Sequence, residues 1–282
     1  MALGEPPHTG SRAPLQISAR DNPLLAQVRR LLRNGGAYRR LGQVWLEGEH
    51  LCAAFATRGK VATQAVIAAS AWAVPVQREL AQSAARVVLL SDPLFASLST
   101  LESPAGIGFL IDLPAQDPIQ RTTATVVLDR LQDAGNVGSI MRSAAALGAS
   151  QVLALKGTVA LWSPKVLRAG MGAHFGLNLL EGLSEADLLG LRMPLVATSS
   201  HAGVLLPQAA LPSPCAWVMG HEGQGVSVSL LQRCAVQVRI PQPGGQESLN
   251  VAAAAAVCLY ESARQAACPS DPSAAAQRSP IQ

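Results

Sequence analysis

The chain has 282 residues, 49% of them hydrophobic and only 4% aromatic, with a formal net charge of +4. That length fits one large domain or two ordinary ones, with a sizeable core built from alanine and branched aliphatics. The mild positive charge suits a polyanionic partner, while so few aromatic residues argue against RNA binding by a broad stacking platform.

The five cysteines, Cys52, Cys215, Cys234, Cys258 and Cys268, include no C-x-x-C pair. An odd number of isolated thiols is expected to be buried and reduced. No Cys/His cluster has zinc spacing, so no metal is expected. Residues 1–10 lack the apolar core of a signal peptide. The longest strongly apolar run, 251–260, is mostly alanine and too short to span a bilayer. The expected location is the cytoplasm, with no membrane contact.

Residues 1–15 are rich in Pro, Gly and Ala and read as a loose tail, as do 269–282. Asn22 is expected to cap a helix that Pro23 opens. Leu24, Leu25, Val28, Leu31 and Leu32 follow at helical spacing, and Asn34-Gly35-Gly36 ends the run. Arg20, Arg29, Arg30, Arg33, Arg39 and Arg40 crowd this region with only Asp21 against them. Such clustering is the footprint of an RNA contact, the alternative being a solvated helix face. Strands are predicted at 44–46, 65–69, 87–90 and 106–112, and helices at 50–57 and 75–85. Together they make a small α/β domain over 16–112. Residues 113–122, polar and with two prolines, read as a linker.

The second half is more regular. Strands predicted at 124–129, 151–155, 195–199, 216–219 and 235–240 alternate with helix-like runs over 123–268. Such alternation predicts a largely parallel sheet covered on both faces.

Three polar, glycine-containing segments follow strands in this half. In the first, Asn136 is expected to cap the next helix. Gly138 lets the backbone approach a partner or bend. Arg142, on the first or second helical turn, can aim its fork at the strand ends, where open α/β sheets take ligands. The alternative is an ordinary strand–turn–helix with a surface arginine. The second segment is Gly220-His221-Glu222-Gly223-Gln224-Gly225. Its glycine order is not a dinucleotide fingerprint and no phosphate-loop lysine follows, so it suits backbone contact with a flat base rather than a phosphate cradle. His221 lacks the second histidine of a zinc-protease motif. The third runs from Ile240 to Asn250, where Ser248 or Asn250 can cap the helical run after it. In that run Val251, Ala254, Ala255, Cys258, Leu259 and Ser262 form one narrow stripe. It packs a core, forms a dimer interface, or closes a ligand site.

The order Asn136-x-Gly138-x-x-x-Arg142, then Gly220-x-Glu222-Gly223-x-Gly225, then Ile240-Pro241 ahead of Ser248-Leu249-Asn250-Val251 resembles the three motifs of the SpoU (TrmH-like) RNA ribose 2′-O-methyltransferases. The stretch from Pro164 to Ala173 is similar to that family as well. The resemblance covers 123 to about 265. The N-terminal half more loosely resembles the small substrate-binding domain many such enzymes carry.

The resemblance implies an α/β fold whose C-terminal domain, a mostly parallel sheet with helices on both faces, is threaded into a trefoil knot. It implies S-adenosylmethionine as methyl donor, surrounded by Thr198, Gly220, Ile240 and Leu249. It also implies a homodimer in which both subunits contribute to each site. The reaction implied is methylation of a ribose 2′-hydroxyl, with ribosomal RNA as the favoured target. A transfer RNA target, or an RNA-binding module with a vestigial donor pocket, are the alternatives. Methyl transfer from a sulfonium to a hydroxyl needs positioning and removal of the hydroxyl proton. In the family the Arg142 equivalent is the proposed base. An arginine keeps its proton, so anchoring the target phosphate is the other role open to it. Asn136, Glu222, Ser248 and Asn250 are expected to position the arginine, the ribose and the loops.

Overall fold

Two sets of strands form two separate sheets in the computed structural model, which describes residues 13–99, 102–199, 203–244 and 248–267. Cys268 and the expected C-terminal tail lie outside the described residues. So does the expected N-terminal tail, apart from 13–15. The chain divides into two compact units, one up to Pro114 together with Trp162–Pro164, the other comprising Ala115–Leu161 and everything from Lys165.

In the first unit the elements are β1 (Leu15–Ile17), α1 (Pro23–Arg33), α2 (Ala37–Leu41), β2 (Gln43–Glu47), α3 (Glu49–Ala56), β3 (Gln64–Ala68), α4 (Ala69–Trp72), α5 (Pro75–Gln82), β4 (Val87–Leu90), α6 (Asp92–Ala96) and β5 (Ile107–Asp112). The sheet order is β1-β4-β3-β5-β2, with β1, β4 and β3 parallel and β5 antiparallel to both neighbours. The tail expected over 1–15 is corrected at its last residue, because Leu15 begins an edge strand. In α1 the Asn22 side chain accepts the Leu24 N–H at 3.0 Å, as its N-cap position requires. Leu25, Val28, Leu31 and Leu32 are buried, which leaves Arg30 and Arg33 on the exposed side of the helix. Arg39 and Arg40 are also exposed, and the Arg39 guanidinium lies over the Tyr38 ring at 5.1 Å. Arg29 is half-buried and donates to the Arg20 carbonyl at 2.7 Å.

The second unit contains β6 (Thr125–Asp129), α7 (Ala134–Ala146), β7 (Gln151–Leu155), α8 (Pro164–Gly170), β8 (Asn178–Leu183), β9 (Leu195–Thr198), β10 (Val204–Leu205), β11 (Ala216–Gly220), α9 (Val228–Arg233), β12 (Val236–Arg239) and α10 (Val251–Ala267). Its sheet has the order β10-β12-β9-β11-β6-β7-β8, and every neighbouring pair runs parallel. Consecutive residues of the interior strand β6, Val126, Val127 and Leu128, are all fully buried. A strand buried on both faces reads as an unbroken apolar run, which is why the alternating pattern of a half-exposed strand is absent from it. On one face Val127, Leu153, Leu180, Ala197 and Val218 share a cluster with Leu188 and Leu230. Across the sheet α10 packs on α7 and β11, burying Ala255, Cys258 and Leu259. The Trp217 indole donates to Ser262 Oγ at 2.8 Å.

The four described cysteines are free thiols, with Cys52, Cys215 and Cys258 buried. Burial pushes the thiols of Cys215 and Cys234 up to about 11 and that of Cys258 to about 12, so they stay protonated near neutral pH. Among the described residues no helix is long and apolar enough to cross a membrane, and no group of three or more metal-ligating side chains occurs.

Candidate active site at the strand ends

β6 stops at Asp129 and α7 starts at Ala134. The N-cap is Asp133, whose Oδ1 accepts the Asn136 N–H at 2.7 Å. The expectation that Asn136 caps this helix is corrected. The run Asp133-Ala134-Gly135-Asn136 holds two capping residues, and the carboxylate three positions ahead of the orphan N–H takes the role. Asn136 therefore lies inside the first turn, and its side-chain amide is left to bond elsewhere.

That amide joins the three glycine-containing segments. Asn136 Nδ2 donates to Glu222 Oε1 at 3.1 Å, and Asn136 Oδ1 accepts from Asn250 Nδ2 at 3.0 Å. Glu222 also accepts the backbone N–H groups of Asp133 at 3.0 Å and Gln132 at 3.1 Å. Asn250 Oδ1 accepts the N–H groups of Ala252 at 2.9 Å and Ala253 at 3.3 Å, so it caps α10. Burial works to raise the Glu222 carboxyl. The Asp133 N–H, the Asn136 amide and the Gln132 N–H outweigh it and hold the group below the ordinary glutamate range. The carboxylate is thus a fixed anchor rather than a proton donor near neutral pH.

Gly220 and Gly138 are required by close approach. A Cβ on Gly220 would lie 2.6 Å from the Gly225 carbonyl oxygen and closer still to Gly225 C and Val226 N. The loop after β11 folds back onto its own start, closing an antiparallel bridge between His221 and Gly225. His221 Nδ1 accepts the N–H groups of Gly223 at 3.0 Å and Gln224 at 3.3 Å, which places any ring proton on Nε2. A Cβ on Gly138 would lie 2.8 Å from both Gly170 N and the Val166 carbonyl oxygen. The partner that Gly138 admits is therefore helix α8, drawn from the Pro164-to-Ala173 segment.

Thr198 ends β9, Gly220 ends β11, and Ile240 directly follows β12. These three strands are neighbours, with Val238 opposite Thr198 and Val218 opposite Ala197. The three residues therefore stand side by side at the carboxyl edge of the sheet. Leu249 is 43% exposed and directly precedes Asn250. Ser248 is exposed. Arg142 is also exposed, and its expected place on the first or second turn of α7 is corrected to the third turn. It lies six positions after Asn136, so the two side chains leave the helix roughly 120° apart around its axis. Among the described residues, neither Arg142 nor Ser248 makes a hydrogen bond within the site.

Asp129 and Arg130 complete the arrangement, and sequence reasoning missed both. Asp129 is 2% exposed, and its carboxylate accepts the Ser227 N–H at 2.7 Å and Arg130 Nε at 2.8 Å. An acid directly after the apolar run Val126-Val127-Leu128 was the signal available for it.

A parallel sheet whose loops are tied together at its carboxyl edge defines a class: an α/β domain that binds and reacts at its strand ends. Residues 123–260 match the SpoU rRNA Methylase family. The chain is 34% identical over 261 residues to the uncharacterized tRNA/rRNA methyltransferase slr1673 of Synechocystis sp., covering 88% of this chain and 93% of that one. It is 29% identical over 177 residues to the 23S rRNA (guanosine(2553)-2′-O)-methyltransferase RlmP of Bacillus subtilis, covering 61% and 70%. The fold matches the crystal structure of the SpoU methyltransferase AviRb from Streptomyces viridochromogenes in complex with AdoMet. The TM-score is 0.80 at 26% identity, covering 88% of this chain and 99% of that one. The chain belongs to the SpoU methylase family.

Proposed function

We propose that this protein uses S-adenosylmethionine to methylate a ribose 2′-hydroxyl of ribosomal RNA in the cytoplasm. The observation that carries the reading is the Asn250–Asn136–Glu222 relay, which binds all three family segments into one site. RlmP acts on 23S rRNA by its name, and AviRb holds AdoMet by its description.

The residues fit the donor. Thr198 offers a hydroxyl, Gly220 a backbone pressed against its own loop, and Ile240 and Leu249 aliphatic surface. A nucleoside with a sulfonium-linked arm suits such polar edges and apolar walls rather than a phosphate cradle. Bound there, S-adenosylmethionine supplies a methyl group on a positively charged sulfur. The protein supplies placement. Glu222 and Asn136 hold the loops in register. Arg142 meets the phosphate beside the target ribose, and Ser248 and Asn250 border the ribose from the start of α10. Purified protein incubated with labelled donor and ribosomal RNA should give ribose-methylated nucleotides. Absence of donor binding by the purified protein would reject the reading in favour of a vestigial pocket.

Three further parts belong to the proposal. The chain leaves β12 at Ile240, and at Asn250 it is hydrogen-bonded to Asn136 beyond β6, end points that a trefoil knot would join. The exposed face of α10, with Val257 at 42% and Tyr260 at 61% exposure, forms a homodimer contact. Light scattering should then report twice the chain mass, and a monomer at micromolar concentration would count against the contact. The small domain over 16–112 binds RNA through Arg29, Arg30, Arg33, Arg39 and Arg40. Replacing Arg30, Arg33 and Arg40 with alanine should weaken RNA binding and lower its salt slope by about 0.7–0.9 for each phosphate no longer neutralised. An unchanged slope would remove the cluster from the interface.

A further inference from the structure

We infer that Arg130 is a positioning residue for the methyl donor, tying the glycine loop after β11 to the end of β6 through Asp129 and Gln224. The inference rests on the donor-site reading of Gly220.

The geometry is specific. Asp129 and Gly220 are paired as the last residues of adjacent strands. The Asp129 carboxylate is almost wholly buried, and a buried charge is tolerated only when its oxygens are matched. Arg130 supplies two arms of its fork, Nε to Oδ1 at 2.8 Å and Nη2 to Oδ2 at 3.2 Å. Its third nitrogen, Nη1, donates to Gln224 Oε1 at 3.0 Å, in the middle of the glycine loop. Asp129 Oδ2 takes the Ser227 N–H at the far end of that loop. One guanidinium and one carboxylate therefore hold two points of the loop, and Glu222 holds a third.

Arg130 occupies the left-handed region at φ 59°, where a residue with a side chain is uncommon. Gly157, itself at φ 92°, leaves just the room its stem needs, since a Cβ there would meet Arg130 Cγ at 3.2 Å. The Gln132 side chain donates to the carbonyls of both Arg130 and Gly157. The backbone bears this conformation with the fork aimed at the loop. Glycine would adopt the same φ without strain, so the fork rather than the turn calls for arginine.

Arg130→Gly separates the fork from the backbone. The test is steady-state methyl transfer with each substrate varied in turn, alongside calorimetric donor binding. Arg130→Gly should raise the KM and Kd for S-adenosylmethionine about tenfold, with kcat at saturating donor and the KM for RNA changed less than twofold. Gln224→Ala, at an exposed side chain, should raise the donor Kd about threefold. The double variant should be no worse than Arg130→Gly alone, because both remove one tie. Arg130→Lys keeps the charge beside Asp129 but cannot span both partners, and should fall between wild type and Arg130→Gly. Unchanged donor affinity in Arg130→Gly would overturn the inference. So would parallel losses in donor affinity, RNA affinity and kcat, which mark a general loss of fold. If Arg130→Gly does not fold, wild-type donor affinity in Gln224→Ala overturns it instead. Wild-type protein that binds no donor would overturn the donor-site reading itself, a result distinct from these.

Discussion

Arg142→Ala is expected to slow methyl transfer by roughly 100-fold, about 2.7 kcal/mol in the barrier, while leaving donor affinity intact. The side chain is exposed on the third turn of α7 and bonds to no described residue, so its removal costs the fold little. A guanidinium with its fork uncommitted can grip a phosphate in bidentate fashion. Arg142→Lys separates the two roles open to it. Lysine keeps the charge but loses the planar fork, and it gives up a proton far more readily. A charge role would survive in large part, and a base role would survive with an altered pH profile of the rate. Loss in both variants would assign Arg142 to geometry, holding phosphate and ribose in line with the donor. The measurement is single-turnover transfer across a pH series with calorimetric donor binding. Near-normal turnover in Arg142→Ala would remove this residue from the mechanism.

The second large effect is expected at Gly220. An alanine there forces its Cβ into the backbone of Gly225 and Val226 rather than into a flexible side chain. Backbone cannot move aside as a side-chain tip can, so the loop has to open. Donor binding should weaken by at least about 100-fold, and the overpacking should lower stability by roughly 1–3 kcal/mol. Gly223→Ala is the contrast. Its Cβ would meet nothing nearer than the His221 ring at 3.9 Å, so thermal stability should stay near wild type. Equal donor affinity in Gly220→Ala and wild type would show that the loop tolerates opening and that its closure does not build the site.

Much of the second sheet was legible because its strands are buried on both faces. The runs at 124–129 and 151–155 have consecutive apolar residues at their centres, and they became β6 and β7 within one residue at each end. β8 escaped notice because it is an edge strand carrying Asn178, Glu181 and Gly182. β10, at two residues, and β1, at three, are too short to leave a period. Of the site, Asn136, Glu222 and Asn250 were readable from motif order, and they meet by direct hydrogen bonds. What stayed hidden depends on groups distant in sequence. Gly138 has its partner in α8, thirty-odd residues away. Asp133 and Asn136 are both capping residues, and the fold shows which caps: Asp133 takes the Asn136 N–H while the Asn136 amide turns to Glu222. Asp129 and Arg130 went unremarked because the burial of the acid and the reach of the arginine to Gln224 are set by a loop some ninety residues away.

The Asn250–Asn136 hydrogen bond spans 114 residues of sequence, and the Glu222–Asn136 bond spans 86. Pairings this remote form late in folding, because the intervening chain must first be ordered. Synthesis runs from the N-terminus, and domains generally fold as they emerge. The arginine-bearing first unit is therefore complete while α10 is still unmade. Under the proposed function, the surface that binds RNA is thus finished before the Asn250–Asn136 tie that assembles the donor site can form.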